Sequence, residues 1–194
     1  CHSVQVCAKG LMERVGMEYD DQVQWKIAGI NHQAWLLEIS RSGQDLYPEI
    51  KRRAAEITEK HGDMVRLEIM KRFGYYVTES SEHNAEYMPF FIKDKYPELI
   101  DRFNIPLDEY PRRCINQIEK WKEQREKLVG SSDITHERSL EYASRIIEAM
   151  VTNAPYKIGS NVLNTNLITN LPQNACVEVP CMVDGCGIHP TYIG

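Results

Sequence analysis

Residues 23–39 read VQWKIAGINHQAWLLEI, and this stretch decides the fold. It contains two apolar runs that are each long enough for a β-strand, with a bend at Gly29 between them. His32 follows the first run, at the point where a strand meets a loop. The pattern therefore predicts two strands early in the chain, with a histidine at the end of the first one.

Helix patterns fill most of the chain outside this stretch. Ser3 is placed to cap a first helix, while Asp63 and Gly74 bracket the helix MVRLEIMKRF. The other predicted elements are helices at 3–15, 48–62, 107–128 and 136–151 and strands at 156–164 and 175–184. Because strands lie near both ends with helices between them, we expect one α+β domain over residues 1–194.

The composition argues against several classes of function. A net charge of −5 argues against a broad basic surface for nucleic acid or for an anionic membrane. No apolar run is long enough to span a bilayer. Neither GxGxxG after a strand nor GxxxxGK[ST] occurs, so this chain alone lacks the usual motifs for binding a nucleotide.

The cysteines are not arranged as in a zinc finger or ribbon. The chain is also long and apolar enough to fold without disulfides. We therefore expect most of these cysteines to be buried thiols in a reducing compartment, which favours the cytoplasm. They are Cys1, Cys7, Cys114, Cys176, Cys181 and Cys186.

The first candidate site pairs Cys1 with His32. A thiolate and an imidazole are both good ligands for a divalent transition metal. The two residues are far apart in the sequence, so only the fold could join them. Considered alone, the residues favour a plainer alternative, in which Cys1 belongs to a frayed end and His32 is a hydrogen-bonded core or rim histidine.

The second candidate site is the irregular segment YYVTESSEHNAEYMPFF at 75–91. Its Glu79, Glu82, His83 and Glu86 are suited to metal binding or to acid–base catalysis. The alternative is a solvated loop whose hydroxyl groups cap the start of a helix, since TESSE resembles a capping box.

The third candidate site is EYPRRC at 109–114. Its paired arginines, Arg112 and Arg113, can bind a carboxylate, a phosphate or sugar hydroxyls. The alternative is ordinary surface charge that is paired with Glu109 or Asp108. The residues themselves leave both alternatives open.

Five motifs follow one another along the whole chain: CHSVQ, AGINHQAWLLEI, FGYYVTESSEHNAEY, PLDEYPRRC and NLPQNACVEVPCMVD. Together they resemble the α-galactosidase (melibiase) branch of glycoside hydrolase family 4. The resemblance implies an α+β domain like the second domain of lactate and malate dehydrogenases. In the family this domain follows a Rossmann domain. We therefore expect a fragment without its Rossmann domain and C-terminal helices, inactive by itself.

The resemblance also implies an activity. Members of the family hydrolyse α-galactosides such as melibiose by oxidation, elimination, addition and reduction, with NAD and Mn²⁺ as cofactors, in place of the usual pair of carboxylates. It further implies a cytoplasmic homo-oligomer. The alternatives within the family are an α-glucosidase and an α-galacturonidase, and the alternative from another class is a non-catalytic metal-binding module.

Individual roles follow from the family motifs. They imply that Cys1 and His32 are the ligands of Mn²⁺ and that His2 is the proton donor. By affinity alone a Cys/His pair prefers zinc, so manganese comes from the resemblance and not from the residues. The remaining implied residues are the base Tyr87, with Tyr75 and Tyr76 as rivals, and the sugar contacts Asn31 and Arg113, with Arg112 as the competing choice.

Overall fold

An antiparallel sheet with helices on both faces forms the framework of the computed structural model. The structure describes residues 2–130, 138 and 141–194, with side chains described from Ser3 onward. Within this part of the chain the helices are α1 (His2–Arg14), α2 (Tyr47–Glu56), α3 (Met64–Phe73), α4 (Ser81–Tyr87), α5 (Glu98–Arg102), α6 (Glu109–Gly130) and α7 (Ala143–Thr152). The strands are β1 (Val23–Ile30), β2 (Gln33–Arg41), β3 (Gln44–Asp45), β4 (Tyr76–Val77), β5 (Tyr156–Leu163), β6 (Cys176–Asp184) and β7 (Gly187–Pro190).

The strands form a single sheet in the order β3–β2–β1–β6–β5. Strand β4 pairs with β2, and β7 pairs with β6. All of these pairings are antiparallel. The prediction of an α+β fold is therefore confirmed, with the early and late strands meeting at β1 and β6.

The β1–β2 hairpin confirms the two predicted strands but moves the bend. Ile30 pairs with Gln33, so the chain reverses over Asn31 and His32 and not at Gly29. Gly29 lies inside β1 with a φ of +147°, and a Cβ atom there would lie 2.8 Å from Cα of Ala34. A glycine is needed because the neighbouring strand leaves no room for a side chain.

Helix α1 covers one face of the sheet. Leu11 and Met12 are fully buried in a cluster that includes residues of β1, β2 and α2. Each such burial contributes about 1.5–3 kcal/mol to folding. The helix lies so close to β5 that a Cβ atom on Gly159 would lie 2.6 Å from Cγ1 of Val4. This tight packing fixes the first turn of α1 over the sheet.

Helix α7 covers the opposite face. Ala149 packs with alternate residues of β6, including Val177 and Val179, and with Ile158 of β5. Its first residue is Ala143, so the predicted helix at 136–151 begins later than expected among the described residues. Residues 131–137, 139 and 140 lie outside the described part.

Helix α6 confirms the long amphipathic helix predicted at 107–128. None of its residues is buried, and Ile118 and Trp121 remain 56% and 53% exposed on its apolar side. The apolar side of α6 is therefore open to solvent in the described chain. No helix among the described residues combines the length and the apolar character needed to cross a membrane.

One predicted helix cap is wrong, one is confirmed in position only, and one helix end is confirmed. Ser3 lies inside the first turn of α1, where its hydroxyl donates to Glu79 instead of capping the helix. Asp63 is the N-cap residue of α3, as predicted, but its side chain makes no capping hydrogen bond. Gly74 ends α3 in the left-handed conformation, as predicted.

The cysteines differ from the expectation that most are buried. Among those described, Cys7 and Cys181 are buried, Cys114 is half-buried, and Cys176 and Cys186 are exposed, with all five thiols free. Burial raises the pKa of the Cys7 thiol to about 12. Cys7 is therefore an unreactive thiol at neutral pH.

Replacing Gly29 by Ala is expected to destabilise the fold by about 1–3 kcal/mol, because the new Cβ atom meets the backbone of β2 and the φ of Gly29 strongly disfavours other residues. Denaturant unfolding of the purified protein measures the loss. The matched control is Gly10→Ala inside α1, where the Cβ atom meets nothing within 4 Å. It should stabilise by up to about 1 kcal/mol. Equal stability of the two variants would contradict the account of β1.

Among the described cysteines, native alkylation with iodoacetamide, followed by mass spectrometry, should modify Cys176 and Cys186 first, because both are exposed. Cys7 should react only after denaturation, since it is buried and its pKa is raised. Reaction of Cys7 at the rate of Cys186 in the folded protein would show that α1 does not pack as described.

Candidate functional site

The tip of the β1–β2 hairpin carries the candidate site. His32 occupies the turn with a φ of 63°, an uncommon conformation that histidine tolerates better than most residues. Its Nε2 lies 3.2 Å from Oε2 of Glu79, and its Nδ1 lies 3.4 Å from the hydroxyl of Tyr87. The fold thus brings a predicted metal ligand and the predicted base into contact.

Glu79 is held by several donors at once. The Ser3 hydroxyl donates to Oε2 at 2.6 Å, and the backbone N–H of Ser80 donates to Oε1 at 2.9 Å. Burial acts to raise the pKa of Glu79, but these donors and the nearby His32 outweigh it, so the pKa lies below its usual value. Glu79 is therefore a carboxylate at neutral pH, and it joins α1 to the hairpin tip.

Three rings form one wall of the site. His32, His83 and Tyr87 stack with interplanar angles of 7° to 19° and centroid separations of 5.7 to 6.4 Å. Nδ1 of His83 is 3.0 Å from Oε2 of Glu86, which lies at the exposed edge of the wall. The stacked rings limit how the imidazole of His32 can turn.

Helix α4 starts beside this wall, and part of the predicted capping box is present. Ser80 is the N-cap and accepts from the backbone N–H of His83. The residue three positions after the cap is His83 and not a glutamate, so the reciprocal half of the box is missing. Glu79, which directly precedes the cap residue, takes no part in capping and faces His32.

Asn84 locks α4 to the hairpin. It is fully buried, and its amide donates to the carbonyls of Glu79 and Ser80, both at 2.9 Å. Gln33 donates to Oδ1 of Asn84 at 3.4 Å and to the carbonyl of His32 at 3.0 Å. Sequence reasoning missed both amides, although each lies within a quoted motif.

Glu178 is a further carboxylate that sequence reasoning missed. It is 1% exposed, lies on β6, and pairs in register with Gly29 of the hairpin. Burial raises its pKa, while the nearby His32 acts in the opposite direction. The only sequence signal was an acidic residue inside an apolar strand, VEVP.

The other implied residues lie in different places. Asn31 is the exposed neighbour of His32 in the turn. Arg113 and Arg112 both pair with Glu109 on α6, which matches the surface-charge alternative. Among the described hydrogen bonds and ion pairs, none joins Arg112 or Arg113 to His32, Glu79 or Tyr87. Their role in sugar binding stays a prediction.

The motif that was predicted to contain a metal ligand and the proton donor lies at the N-terminal end of the described chain. Cys1 is outside it, and His2 is described only as the first residue of α1. Ser3, two positions after Cys1, shares an oxygen of Glu79 with His32. Within the described residues no group of three His, Cys, Asp or Glu side chains could hold a metal ion. Any such site therefore needs a donor beyond them.

The rivals for the base differ in accessibility. Tyr76 is fully buried, its hydroxyl donates to Asp63, and burial raises its pKa well above the usual value. Tyr75 is half-exposed and packs edge-on against Tyr47. Among these rivals, contact with His32 favours Tyr87 as the candidate for proton transfer.

Replacing Asn84 by Ala should destabilise the protein by about 1–3 kcal/mol, because the buried amide hydrogen bonds to the hairpin and to the start of α4 are lost. Thermal unfolding measures the change. Glu86→Ala on the same helix is the control, because that side chain is 56% exposed and its pairing with His83 contributes under about 1 kcal/mol. A smaller effect for Asn84→Ala than for the control would refute the role given to Asn84.

Comparisons with known proteins relate this geometry to a family. The model of the family 4 glycosyl hydrolase C-terminal domain matches residues 27–194. An α-galactosidase of Bacillus subtilis is 63% identical over the whole chain, and the chain spans 45% of that protein.

Solved structures share the fold. LplD of Bacillus subtilis superposes with a TM-score of 0.79 at 22% identity, over 99% of this chain and 48% of that one. A 6-phospho-β-glucosidase of Thermotoga maritima, solved with manganese, NAD⁺ and glucose-6-phosphate, gives a TM-score of 0.65 at 17% identity, over 100% and 44%. The resemblance inferred from the five motifs is confirmed: the chain belongs to glycosyl hydrolase family 4 and spans its C-terminal domain.

Proposed function

We propose that the whole protein hydrolyses α-galactosides such as melibiose and that this chain supplies its metal-binding and acid–base residues. One observation carries the proposal: His32, Glu79 and Tyr87 meet at the hairpin tip, and Ser3 ties the start of α1 to the same point. The identity to an α-galactosidase supports the choice of substrate.

We further propose Cys1 and His32 as the protein ligands of Mn²⁺. The residues fit a divalent cation, since a half-exposed imidazole faces an ionised carboxylate and the turn that follows Cys1 contacts that carboxylate. When bound, the cation would act as a Lewis acid on oxygens of the sugar.

Tyr87 is the proposed base. It is 50% exposed, so its hydroxyl can reach a substrate, whereas the hydroxyl of Tyr76 is buried. An imidazole that binds a cation through Nε2 keeps its proton on Nδ1. At 3.4 Å that nitrogen can donate to the Tyr87 oxygen, which orients the hydroxyl of Tyr87.

The remaining roles are proposed by analogy with the family. His2, in the first turn of α1, is the proton donor to the leaving group, and Asn31 and Arg113 contact the sugar. NAD, which would accept and return a hydride, is bound mainly by a Rossmann domain of the whole protein. We expect that protein to be a cytoplasmic homo-oligomer and the isolated chain to be inactive.

Two alternatives remain as proposals of lower rank. Another sugar specificity within the family, α-glucosidase or α-galacturonidase, needs only a few changed contacts around the same residues. A non-catalytic metal-binding module would keep the Cys1–His32 site without turnover. Competition between substrates and the dependence of activity on NAD distinguish the proposed α-galactosidase from these two alternatives.

The decisive experiment is hydrolysis of an aryl α-galactoside by the whole protein, with Mn²⁺, NAD and a reducing thiol added singly and together. Activity should require all three and should exceed that on the matching α-glucoside and α-galacturonide. Tyr87→Phe should lower kcat about 10²–10⁴-fold, because the base is lost.

The matched control is Tyr75→Phe, which removes the hydroxyl of a half-exposed tyrosine away from His32 and should keep nearly full activity. Activity without NAD and metal would overturn the proposed chemistry. An equal loss in both tyrosine variants would overturn the assignment of the base.

A further inference from the structure

All four phenylalanines of the chain line one cleft between α3, α5 and the segment after α4. The cleft has a volume of about 370 Å³, and two of its rings, Phe73 and Phe90, are each 54% exposed. Exposed aromatic surface of this kind marks a site where another group packs. We call it the phenylalanine cleft, and its apolar lining is Ile69, Phe73, Phe90, Phe91, Leu99 and Phe103.

Helix α6 begins shortly after this cleft and carries a second uncovered apolar surface. Cys114, Ile118, Trp121 and Leu128 lie on one side of the helix at heptad spacing, with Arg125 at the intervening position. Heptad spacing is typical of a helix that packs along its length against a partner, and the stem of an arginine can lie on apolar surface. Because a helix draws most of its stability from packing, α6 needs a surface to cover this side.

The direction of α6 prevents it from covering the phenylalanine cleft of its own chain. Phe103 lies six positions before Glu109, where the helix begins, so α6 starts beside the cleft. The helix is unbroken and rises about 1.5 Å per residue, which places Trp121 about 18 Å farther along its axis than Glu109. The same cleft on a second copy is open to this part of the helix.

The two surfaces together have the size of a dimer interface. About half of the 22 residues of α6 can face a partner, and nine residues line the phenylalanine cleft. Their total is close to the roughly 20–30 residues that each partner contributes to a standard interface. Each chain would contribute one helix and one cleft, so the arrangement closes with two-fold symmetry.

Charge at the borders of the two surfaces is complementary. Arg102 lies at the cleft with its guanidinium over the ring of Phe103 at 5.3 Å. Glu126 lies on α6 next to the apolar stripe. Within the described residues neither Arg102 nor Glu126 belongs to an ion pair, so each can meet a charge on another chain. Such a pair fixes the register of an interface more than it adds affinity.

We propose that two copies of the protein form a dimer by exchanging α6, each helix lying with Trp121 in the phenylalanine cleft of the other copy. This is the mode in which an amphipathic helix occupies an apolar groove, with a tryptophan as its anchor. The inference gives a contact surface to the homo-oligomer expected above. It rests on that expectation alone and not on the proposed chemistry.

The test is sedimentation velocity of the whole protein over a range of concentrations. The parent protein should sediment as a dimer or as a multiple of one. Trp121→Glu on the helix and Phe90→Glu at the cleft should each raise the dissociation constant of this contact at least about 100-fold, because a charge replaces a central aromatic group. Asn116→Glu adds the same charge on the opposite, exposed side of α6 and should associate like the parent.

Mixing the two interface variants gives a sharper result. A dimer of either variant alone has two damaged contacts, whereas a mixed dimer keeps one intact contact. In it the helix of the Phe90→Glu chain occupies the cleft of the Trp121→Glu chain. An equimolar mixture should therefore associate more strongly than either variant. If α6 paired instead with α6 of the second copy, Phe90→Glu would associate like the parent, which would overturn the inference.

Circular dichroism and thermal unfolding show whether each variant folds, and cross-linking of otherwise unchanged protein gives an independent readout. A photoreactive phenylalanine derivative at position 121 should join isotope-labelled to unlabelled copies, at peptides from residues 90–103. Links confined to single chains, or association unaffected by Trp121→Glu, would overturn the inference and leave the homo-oligomer standing. A monomeric parent protein would overturn both, while the proposed chemistry is tested separately by hydrolysis.

Discussion

The register of the β1–β2 hairpin is the constraint on which the rest of the structure depends. Ile30 pairs with Gln33, and alternation along β1 sends Ile27 to the face under α1 and Ala28 to the face under α7. A slip of one residue would exchange the two faces and expose both sets of apolar side chains. The burial of two cores therefore holds His32 at the tip, although His32 itself contributes little to either.

One carboxylate then connects this tip to elements that are distant in sequence. Ser3 and Glu79 are 76 positions apart, and His32 lies between them in the chain, yet all three meet at Oε2. The close approach of Val4 to Gly159 explains why α1 can place Ser3 there, since the helix is seated directly on β5. Packing of the apolar face of α1 thus sets the geometry of a polar site.

Sequence patterns predicted the features of the fold that depend only on residues close together in the chain. The two strands of the hairpin, the long helix α6 and the end of α3 at Gly74 follow from periodicity and from backbone preference. The role of Ser3 could not be predicted, because a hydroxyl near a helix start suits a local cap as well as a distant carboxylate. For the same reason no pattern could select Glu79 from the acidic residues around it, since its partners come from α1 and the hairpin.

A buried ionic network around Asp63 is the second feature that holds the candidate site in place. Asp63 pairs with Arg66, accepts from the hydroxyls of Tyr76 and Ser81, and is only 3% exposed. A buried ion pair of this kind is weak evidence for stability, because desolvation offsets much of its attraction. Its contacts instead fix the orientation of the segment between β4 and α4. Arg66 donates to the carbonyl of Thr78 at one end, and Ser81 begins α4 at the other. The segment that carries Glu79 is therefore held from both ends, so its carboxylate can face His32 without a flexible loop on either side.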